Sequence, residues 1–304
     1  MRNGGFTLPS FAKVNWFLKV WGRRADGFHE ICTAFQTISL HDTISFEPAD
    51  SLILESSDPR LPTDGSNLVH RAADALRKQA GADLGAKIRI EKHIPFPGGL
   101  GGGSSNAAVA MLGLAKLWEV NPSFEDLFEL ALEIGSDVPF FLVGGTVLGT
   151  GRGTDLEPLP DTGRKLLLID TPMAEYSTAE AYRSLGRHRL TSEGPETKLM
   201  VCRELAKGLI SGSMEAVNDF EKAVAGFASE IESAKEGLLT EGATSAGLSG
   251  SGPSVFGVFE NETLRQQAYR ALSRGSRIVA AESTSRTEYR KALGSCAELL
   301  PRHT

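Results

Sequence analysis

From Ile94 to Ala115 the chain carries no charged residue, and the run Pro97-Gly98-Gly99-Leu100-Gly101-Gly102-Gly103-Ser104-Ser105-Asn106 lies inside that stretch. Its length alone would suit a bilayer span. Pro95, Pro97, the clustered glycines and the polar Ser104, Ser105 and Asn106 argue against one, because such a chain leaves backbone groups unpaired in lipid. Ahead of the run, Ile88, Ile90 and Ile94 alternate with Lys87, Arg89, Glu91 and His93, the period of a half-buried strand. Behind it a helix is predicted from about Ser105 to Trp118. Glycines between a strand and a helix let successive N–H groups turn toward one point, and the helix N-terminus adds partial positive charge. Together they make a cradle suited to a di- or triphosphate. Ser104 and Ser105 can add hydroxyls to a phosphate or a magnesium ion. The run is not a Walker A loop, since no lysine precedes the serines, and Ser104 occupies the third glycine position of GxGxxG. A flexible linker is the bland alternative, but linkers seldom join a strand directly to a helix.

The remaining features bound the answer. A chain of 304 residues exceeds what one compact core normally organises, so two domains are expected. With 41% hydrophobic and 23% charged residues the composition is that of a globular protein. A formal charge of −6 argues against a nucleic-acid partner, and the absence of an apolar run before Phe11 argues against a secretory signal. Cys32, Cys202 and Cys296 lie far apart, which speaks against a disulfide framework or zinc ribbon, suits a reducing, cytoplasmic setting and is most simply read as three buried small apolar residues. Whether the chain is a monomer or a homodimer stays open.

Elements can be placed coarsely. Strands are predicted at Val14–Val20, Ile44–Phe46, Leu52–Leu54, Leu166–Asp170, Ser254–Phe259 and Ile278–Ala281. Helices are predicted from a Ser66 cap to Ala80, from a Ser123–Asp126 capping box through Ile134, and at Thr178–Leu185, Leu199–Ile210, Met214–Phe220, Ser229–Leu239 and Leu264–Ser273. Elements interleave without strict alternation, which favours α+β over a doubly wound sheet. The Pro- and Gly-bearing stretch from Glu157 to Lys165 marks a domain boundary near residue 160, separating 1–160 from 161–304.

Several other residues invite a chemical reading. Gly247-Leu248-Ser249-Gly250-Ser251-Gly252-Pro253 is a second tight loop before a strand; alone it reads as a turn, and beside the first loop it suggests a second wall around one ligand. Asp137, in a turn between a helix and Pro139, is placed either to cap or to accept a proton from a hydroxyl nucleophile. Lys13, before a strand, is by itself a surface lysine. His29-Glu30 begins like HExxH, but Thr33 replaces the second histidine, and His41, His70, His93, His188 and His303 show no ligand spacing. Lys19, Arg23 and Arg24 before Asp26-Gly27-Phe28-His29 are either solvated charges or a rim that meets an anion.

Taken together, Phe11-Ala12-Lys13-Val14-Asn15, the Gly99–Ala108 loop and Gly247–Gly252 resemble, in order, the three motifs of the GHMP small-molecule kinases. Arg23–Glu30 resembles the substrate segment of those members that act on a cytidine-diphosphate-linked methylerythritol. Gly135–Phe141, Gly149–Gly153, Ser177–Tyr182 and Asn218–Glu221 match the same members. The matches run from about residue 9 to 260.

The resemblance implies an N-terminal domain like the second domain of ribosomal protein S5 and a ferredoxin-like C-terminal domain. It also implies magnesium-ATP as phosphoryl donor to the C2 hydroxyl of that substrate. Asp137 is then the base and Lys13 its partner, with Asn15 positioning the methylerythritol end. His29 would read the cytosine edge, Phe28 and Tyr182 would stack on its ring, and Thr178, Gly250, Ser251 and Gly252 would complete the substrate wall. The loop from Pro97 to Asn106 would hold the ATP phosphates, although Pro97 lacks an N–H where the family usually has glycine. Phe28 stands where a tyrosine is expected, which keeps stacking and loses a hydroxyl. Competing expectations are a GHMP kinase for another alcohol, of the homoserine or mevalonate type, and a non-catalytic ligand sensor on the same fold. An oxidoreductase would need the GxGxxG spacing that is missing.

Overall fold

The computed structural model describes residues 4–173, 176–187, 191, 193–212, 216–224, 229–273 and 277–301. A long hairpin opens the chain: β1 (Phe6–Arg23) pairs antiparallel with β2 (His29–Pro48) over most of its length. Alternation had marked only part of each strand. Both faces of β1 are buried, so polar Lys13 and Asn15 lie inside among Ala12, Val14 and Phe17 and the usual inside–outside contrast is lost.

The sheet grows on β2. β4 (Ala86–Glu91) pairs with its later part and with the parallel β3 (Leu52–Ser56), and β5 (Thr146–Thr150) pairs with its earlier part and with β6 (Asp155–Pro158). Three helices cover one face: α1 (Leu68–Ala80), α2 (Gly102–Leu117) and α3 (Phe124–Ile134). α1 is capped by Asn67, which accepts from the Val69 N–H, not by Ser66 as expected; Gly81 ends it in a left-handed turn. The Ser123–Asp126 capping box is present at the start of α3. α2 begins three residues earlier than periodicity indicated, so Gly102, Gly103 and Ser104 form its first turn. Such a helix is buried almost all round, which flattens its pattern.

The strand β7 (Leu166–Asp170) starts a second sheet, followed by α4 (Thr178–Ser184) and α5 (Pro195–Ser211). A helix was expected over Met214–Phe220. Met214 lies outside the described residues, and Val217–Asn218 instead form a short strand, β8, parallel to β1. The helix α6 (Asp219–Val224) starts only after it. Then come α7 (Ser229–Thr240), β9 (Ser245–Leu248), β10 (Val255–Phe259), α8 (Glu262–Leu272) and β11 (Ile278–Glu282). The sheet order β11-β7-β10-β9, all antiparallel, is that of a ferredoxin-like unit.

Residues placed by sequence in the C-terminal domain return to the first layer. α9 (Arg286–Leu293) and the turn after it put Tyr289, Leu293, Cys296 and Leu300 into the core beneath the helices. The Tyr289 hydroxyl donates to the Phe141 carbonyl. Cys32 on β2 and Cys202 on α5, 170 residues apart, are joined as a disulfide, against the expectation of three unpaired thiols. Chain spacing cannot reveal that pairing, because it depends on how α5 packs on β2. Cys296 is free and buried. Among the described residues no helix is long and apolar enough to cross a membrane.

α2 packs tightly against β2 at Gly113, where an added Cβ would enter the Phe46 ring. Gly113→Ala is therefore expected to destabilise the protein by about 1–3 kcal/mol through overpacking. Thermal unfolding measures this, and the added substitution Phe46→Leu should recover part of the loss.

Candidate active site

The site begins with a bulge. Between Asn15 and Phe17 the β1–β2 register shifts by one residue, and Trp16 bulges out. Lys13 and Asn15 share a face by strand period, and the bulge brings Leu18 onto it too; all three line one cavity of about 160 Å³. Bulges next to active sites commonly re-aim side chains in this way.

Lys13 is 3% exposed, and its Nζ stands 3.6 Å from Asp137 Oδ2. That is an ion pair slightly too long for a hydrogen bond. Nζ donates instead to Asn15 Oδ1 at 2.7 Å; Asn15 Nδ2 donates to Thr33 Oγ1 at 2.7 Å, and Thr33 donates to the Phe17 carbonyl at 2.7 Å. Burial pulls the Lys13 ammonium below its ordinary value, while the Asp137 carboxylate pulls the other way. Asp137 sits in a turn between Gly135 and the short 3₁₀ helix Pro139–Leu142, held down by buried Val138, Phe140 and Phe141. Its side chain keeps 36% exposure, so it is open to a ligand where Lys13 is not.

Both glycine loops converge on this pair. The Lys13 N–H donates to the Leu100 carbonyl at 2.9 Å, and Ser249 Oγ donates to the Gly99 carbonyl at 3.0 Å. An added Cβ at Gly99 would collide with the Ser249 carbonyl oxygen, and one at Gly250 would lie 3.1 Å from Lys13 Nζ. Both residues have positive φ, so side chains are excluded there on two counts.

The first-turn N–H groups of Gly102, Gly103 and Ser104 have no intrahelical acceptor and form the positive end of α2. Not every residue of the run faces that way. Leu100 is a core side chain and Gly98 is buried against Pro95 and Ser254. Ser105 is fully buried and accepts a hydrogen bond from Ser10 at 2.8 Å; Asn106 donates from Nδ2 to Asp42 at 3.0 Å. Ser105 and Asn106, expected to touch phosphate or magnesium, are thus turned into the protein. Ser104 lines the open cleft.

That cleft, about 700 Å³, also holds Phe28, His29, Asp137, Thr178 and Tyr182, with Arg23, Arg152 and Arg183 at its edges. Ser251 Oγ donates to Thr178 Oγ1 at 3.1 Å and closes the wall. Gly252 packs beneath Tyr176. The aromatic slot expected between Phe28 and Tyr182 is filled from within: the His29 ring stacks on Tyr182 at 4.4 Å, and the Arg152 guanidinium lies 4.9 Å over Phe28. Arg24 is neutralised by Asp26 and Glu30 at 3.0 and 2.6 Å, which leaves Arg23 as the rim charge of that segment. His188 and His303 lie outside the described residues.

Sequence reasoning assigned no role to Thr33, Asp42 or Asn218. Asn218 Nδ2 donates to the Leu248 and Gly250 carbonyls, each at 2.8 Å, and so fixes the second glycine loop. Arg152, like Asn218, was visible only as part of a matching stretch. No local signal separates such supports from ordinary polar residues.

Comparison with known proteins agrees with this architecture. Residues 67–145 match the N-terminal domain model of the GHMP kinases and 204–277 the C-terminal one. The chain is 37% identical to the 4-diphosphocytidyl-2-C-methyl-D-erythritol kinase of Caldanaerobacter subterraneus, covering 91% of this chain and 96% of that protein. It is 41% identical to the enzyme of that name from Pelotomaculum thermopropionicum, over 87% and 93%. A solved 4-(cytidine 5'-diphospho)-2C-methyl-D-erythritol kinase superposes with a TM-score of 0.77 at 31% identity, over 92% of this chain and all (100%) of that one. Homoserine kinase from Cytophaga hutchinsonii shares the fold at TM-score 0.68 and 19% identity, covering 94% of this chain and 96% of its own. The chain belongs to the GHMP kinases, with the two-domain α+β fold of that family, and within them to the 4-diphosphocytidyl-2-C-methyl-D-erythritol kinases.

Asp137→Asn is expected to abolish ADP formation while ATP still binds, since the phosphate cradle is untouched; equal loss of both, read by calorimetry, would make Asp137 structural. Lys13→Ala should lower turnover by ~10²-fold or more, the usual scale for a lost catalytic group. If the lysine works as a cation, activity in the wild type falls on the alkaline side below the ordinary lysine value of about 10.4. Lys13→Arg should move that limb upward, because guanidinium does not deprotonate in this range.

Proposed function

We propose that the protein transfers the γ-phosphoryl group of ATP to the C2 hydroxyl of 4-diphosphocytidyl-2-C-methyl-D-erythritol, giving the 2-phosphate and ADP in the non-mevalonate route to isoprenoid precursors. The observation that carries this reading is the Lys13–Asp137 pair at the meeting point of two glycine loops, with an aromatic and arginine-lined cleft opening beside it.

Asp137, open to the cleft, accepts the proton of the C2 hydroxyl as that oxygen attacks the γ-phosphorus. The bond to the β-phosphate oxygen breaks and ADP leaves with the electron pair. Lys13 pairs with the carboxylate, orients it, and faces the charge that develops on the transferring group. Little covalent work falls to the protein in such a step; positioning and charge stabilisation dominate. The N–H groups of Gly102, Gly103 and Ser104 hold the ATP phosphates at the positive end of α2.

Magnesium fits as a companion of those phosphates. Among the described residues no group of three His, Cys, Asp or Glu could hold a metal by itself. A magnesium ion bound chiefly by phosphate oxygens and water would need one or two protein oxygens, for which the Ser104 hydroxyl would serve; bound there, it would neutralise phosphate charge.

Arg23, Arg152 and Arg183 suit the diphosphate of the substrate. His29, Phe28 and Tyr182 suit its cytosine, and Asn15 keeps one amide N–H for the methylerythritol end. We assign the phosphate loop and substrate segment to a domain of residues 1–160 and the Thr178 to Gly252 wall to the remainder. We assign the reaction to the cytoplasm, where ATP is supplied.

The decisive assay is ADP release from magnesium-ATP with 4-diphosphocytidyl-2-C-methyl-D-erythritol, beside mevalonate and homoserine. Turnover with the cytidine substrate alone is expected. Turnover with a control instead keeps the kinase and removes the substrate assignment; silence with all three, while ATP binds, favours a sensor.

A further inference from the structure

The mechanism leaves the buried carboxylate of Asp42 unused. Asp42, on β2, is fully buried at 0% exposure and does not line the cleft. Its Oδ1 accepts the backbone N–H groups of His93 and Ile94, each at 2.8 Å. Its Oδ2 accepts Lys92 Nζ at 2.7 Å and Asn106 Nδ2 at 3.0 Å. Lys92, His93 and Ile94 lead into the glycine loop, and Asn106 lies on α2 just after it. One carboxylate therefore grips both ends of the segment that forms the phosphate cradle.

We propose that Asp42 is a positioning residue for ATP, a clasp that sets the glycine loop in its binding shape before the nucleotide arrives. This rests on the assignment of the loop to ATP phosphates. Four donors are more than a lone ion pair to Lys92 would need, and a buried ion pair is seldom kept for stability when apolar packing would serve as well. The Asn106 amide also leaves its Oδ1 buried without a partner, so its place is dictated by the N–H bond to Asp42. A glycine-rich loop has many conformations to lose. Fixing its two ends in advance lowers what must be ordered when a phosphate binds, so the benefit appears as ATP affinity. Lys92 balances the charge: it keeps the Asp42 carboxylate from presenting a net negative field behind the phosphates.

The test compares Asp42→Asn, Asn106→Ala and Leu76→Ala with the wild type. Leu76 is buried on α1 and contacts neither the loop nor the cleft through any bond described above. ATP affinity is read by calorimetry with no acceptor present, KM for the cytidine substrate by ADP release, and folding by thermal unfolding. Asp42→Asn puts an amide against at least one pair of donors and is expected to weaken ATP by tenfold or more while KM for the cytidine substrate stays within twofold. Asn106→Ala loosens the exit end alone and should weaken ATP three- to tenfold; it serves also if Asp42→Asn does not fold. Leu76→Ala should lower the unfolding temperature without weakening ATP. Unchanged ATP affinity in both clasp variants, or equal loss in Leu76→Ala, would overturn the proposal. Because the binding measurement contains no acceptor, an error in the acceptor assignment appears only in the turnover assay.

Discussion

Everything in the site hangs on the close approach of two glycine loops around one buried lysine. Gly99 lies against Ser249 and Gly252 with no room for a Cβ, and Gly250 lies against Gly99 and the end of Lys13. The bond from Ser249 Oγ to Gly99 and that from the Ser254 N–H to the Gly98 carbonyl at 3.1 Å stitch the loop of the first sheet to that of the second. Side chains at those glycines would part the two halves and uncover Lys13. Once exposed, the lysine would lose its lowered pKa and most of its pull on Asp137, because water screens a charge pair far more than a protein interior does. The glycines thus set the shape of the loops and also keep the Lys13–Asp137 ion pair dry on one side.

A buried ammonium is costly unless its protons are met, and here the protein meets them in sequence. Lys13 gives one bond to Asn15, whose amide orientation is fixed by Thr33, itself tied to the Phe17 carbonyl. This chain runs across the β1–β2 hairpin just where the bulge sits. The long hairpin is accordingly the rigid element of the site, while Asp137 is carried by a turn. That turn is braced from behind by Phe140, Phe141 and the Tyr289 hydroxyl, so the returning C-terminal segment holds Asp137 in place without entering the cleft. A site built on a strand and a braced turn holds its geometry better than one built on free loops.

Much of this was legible in the chain because glycine and capping residues act locally. The phosphate loop, its position between strand and helix, the Ser123 capping box and the second loop all follow from residues within a few positions of one another. Lys13 is the opposite case: nothing around it distinguishes it from a surface lysine, and only its resemblance to a known motif singled it out. Asp42 acts through partners 50 to 64 positions away, Thr33 through partners 16 and 18 away and Asn218 through carbonyls 30 and 32 away, beyond any local pattern. The same holds for Cys32 and Cys202, whose meeting depends on the packing of α5. Within the loop, Ser105 and Asn106 were read as phosphate contacts from their place beside the glycines; they lie inside α2 and bond instead to Ser10 and Asp42, partners far off in the chain.

The aromatic end of the cleft shows why substrate recognition is the part least visible in a chain of letters. Phe28, His29 and Tyr182 were expected to surround a pyrimidine, and the structure gathers them, but His29 covers the face of Tyr182. Tyr182 is in turn set edge-on against Phe220 at 4.7 Å, so it cannot retreat. For a cytosine ring to lie on Tyr182, His29 has to turn off it, exchanging one ring contact for another of similar worth, roughly 0.5–1.5 kcal/mol. That exchange is nearly neutral for any flat ring. On the proposed substrate, discrimination would then fall to the edge that His29 presents after turning and to the arginines at the cleft edge, since hydrogen bonds to a fixed polar edge separate related ligands more sharply than stacking does.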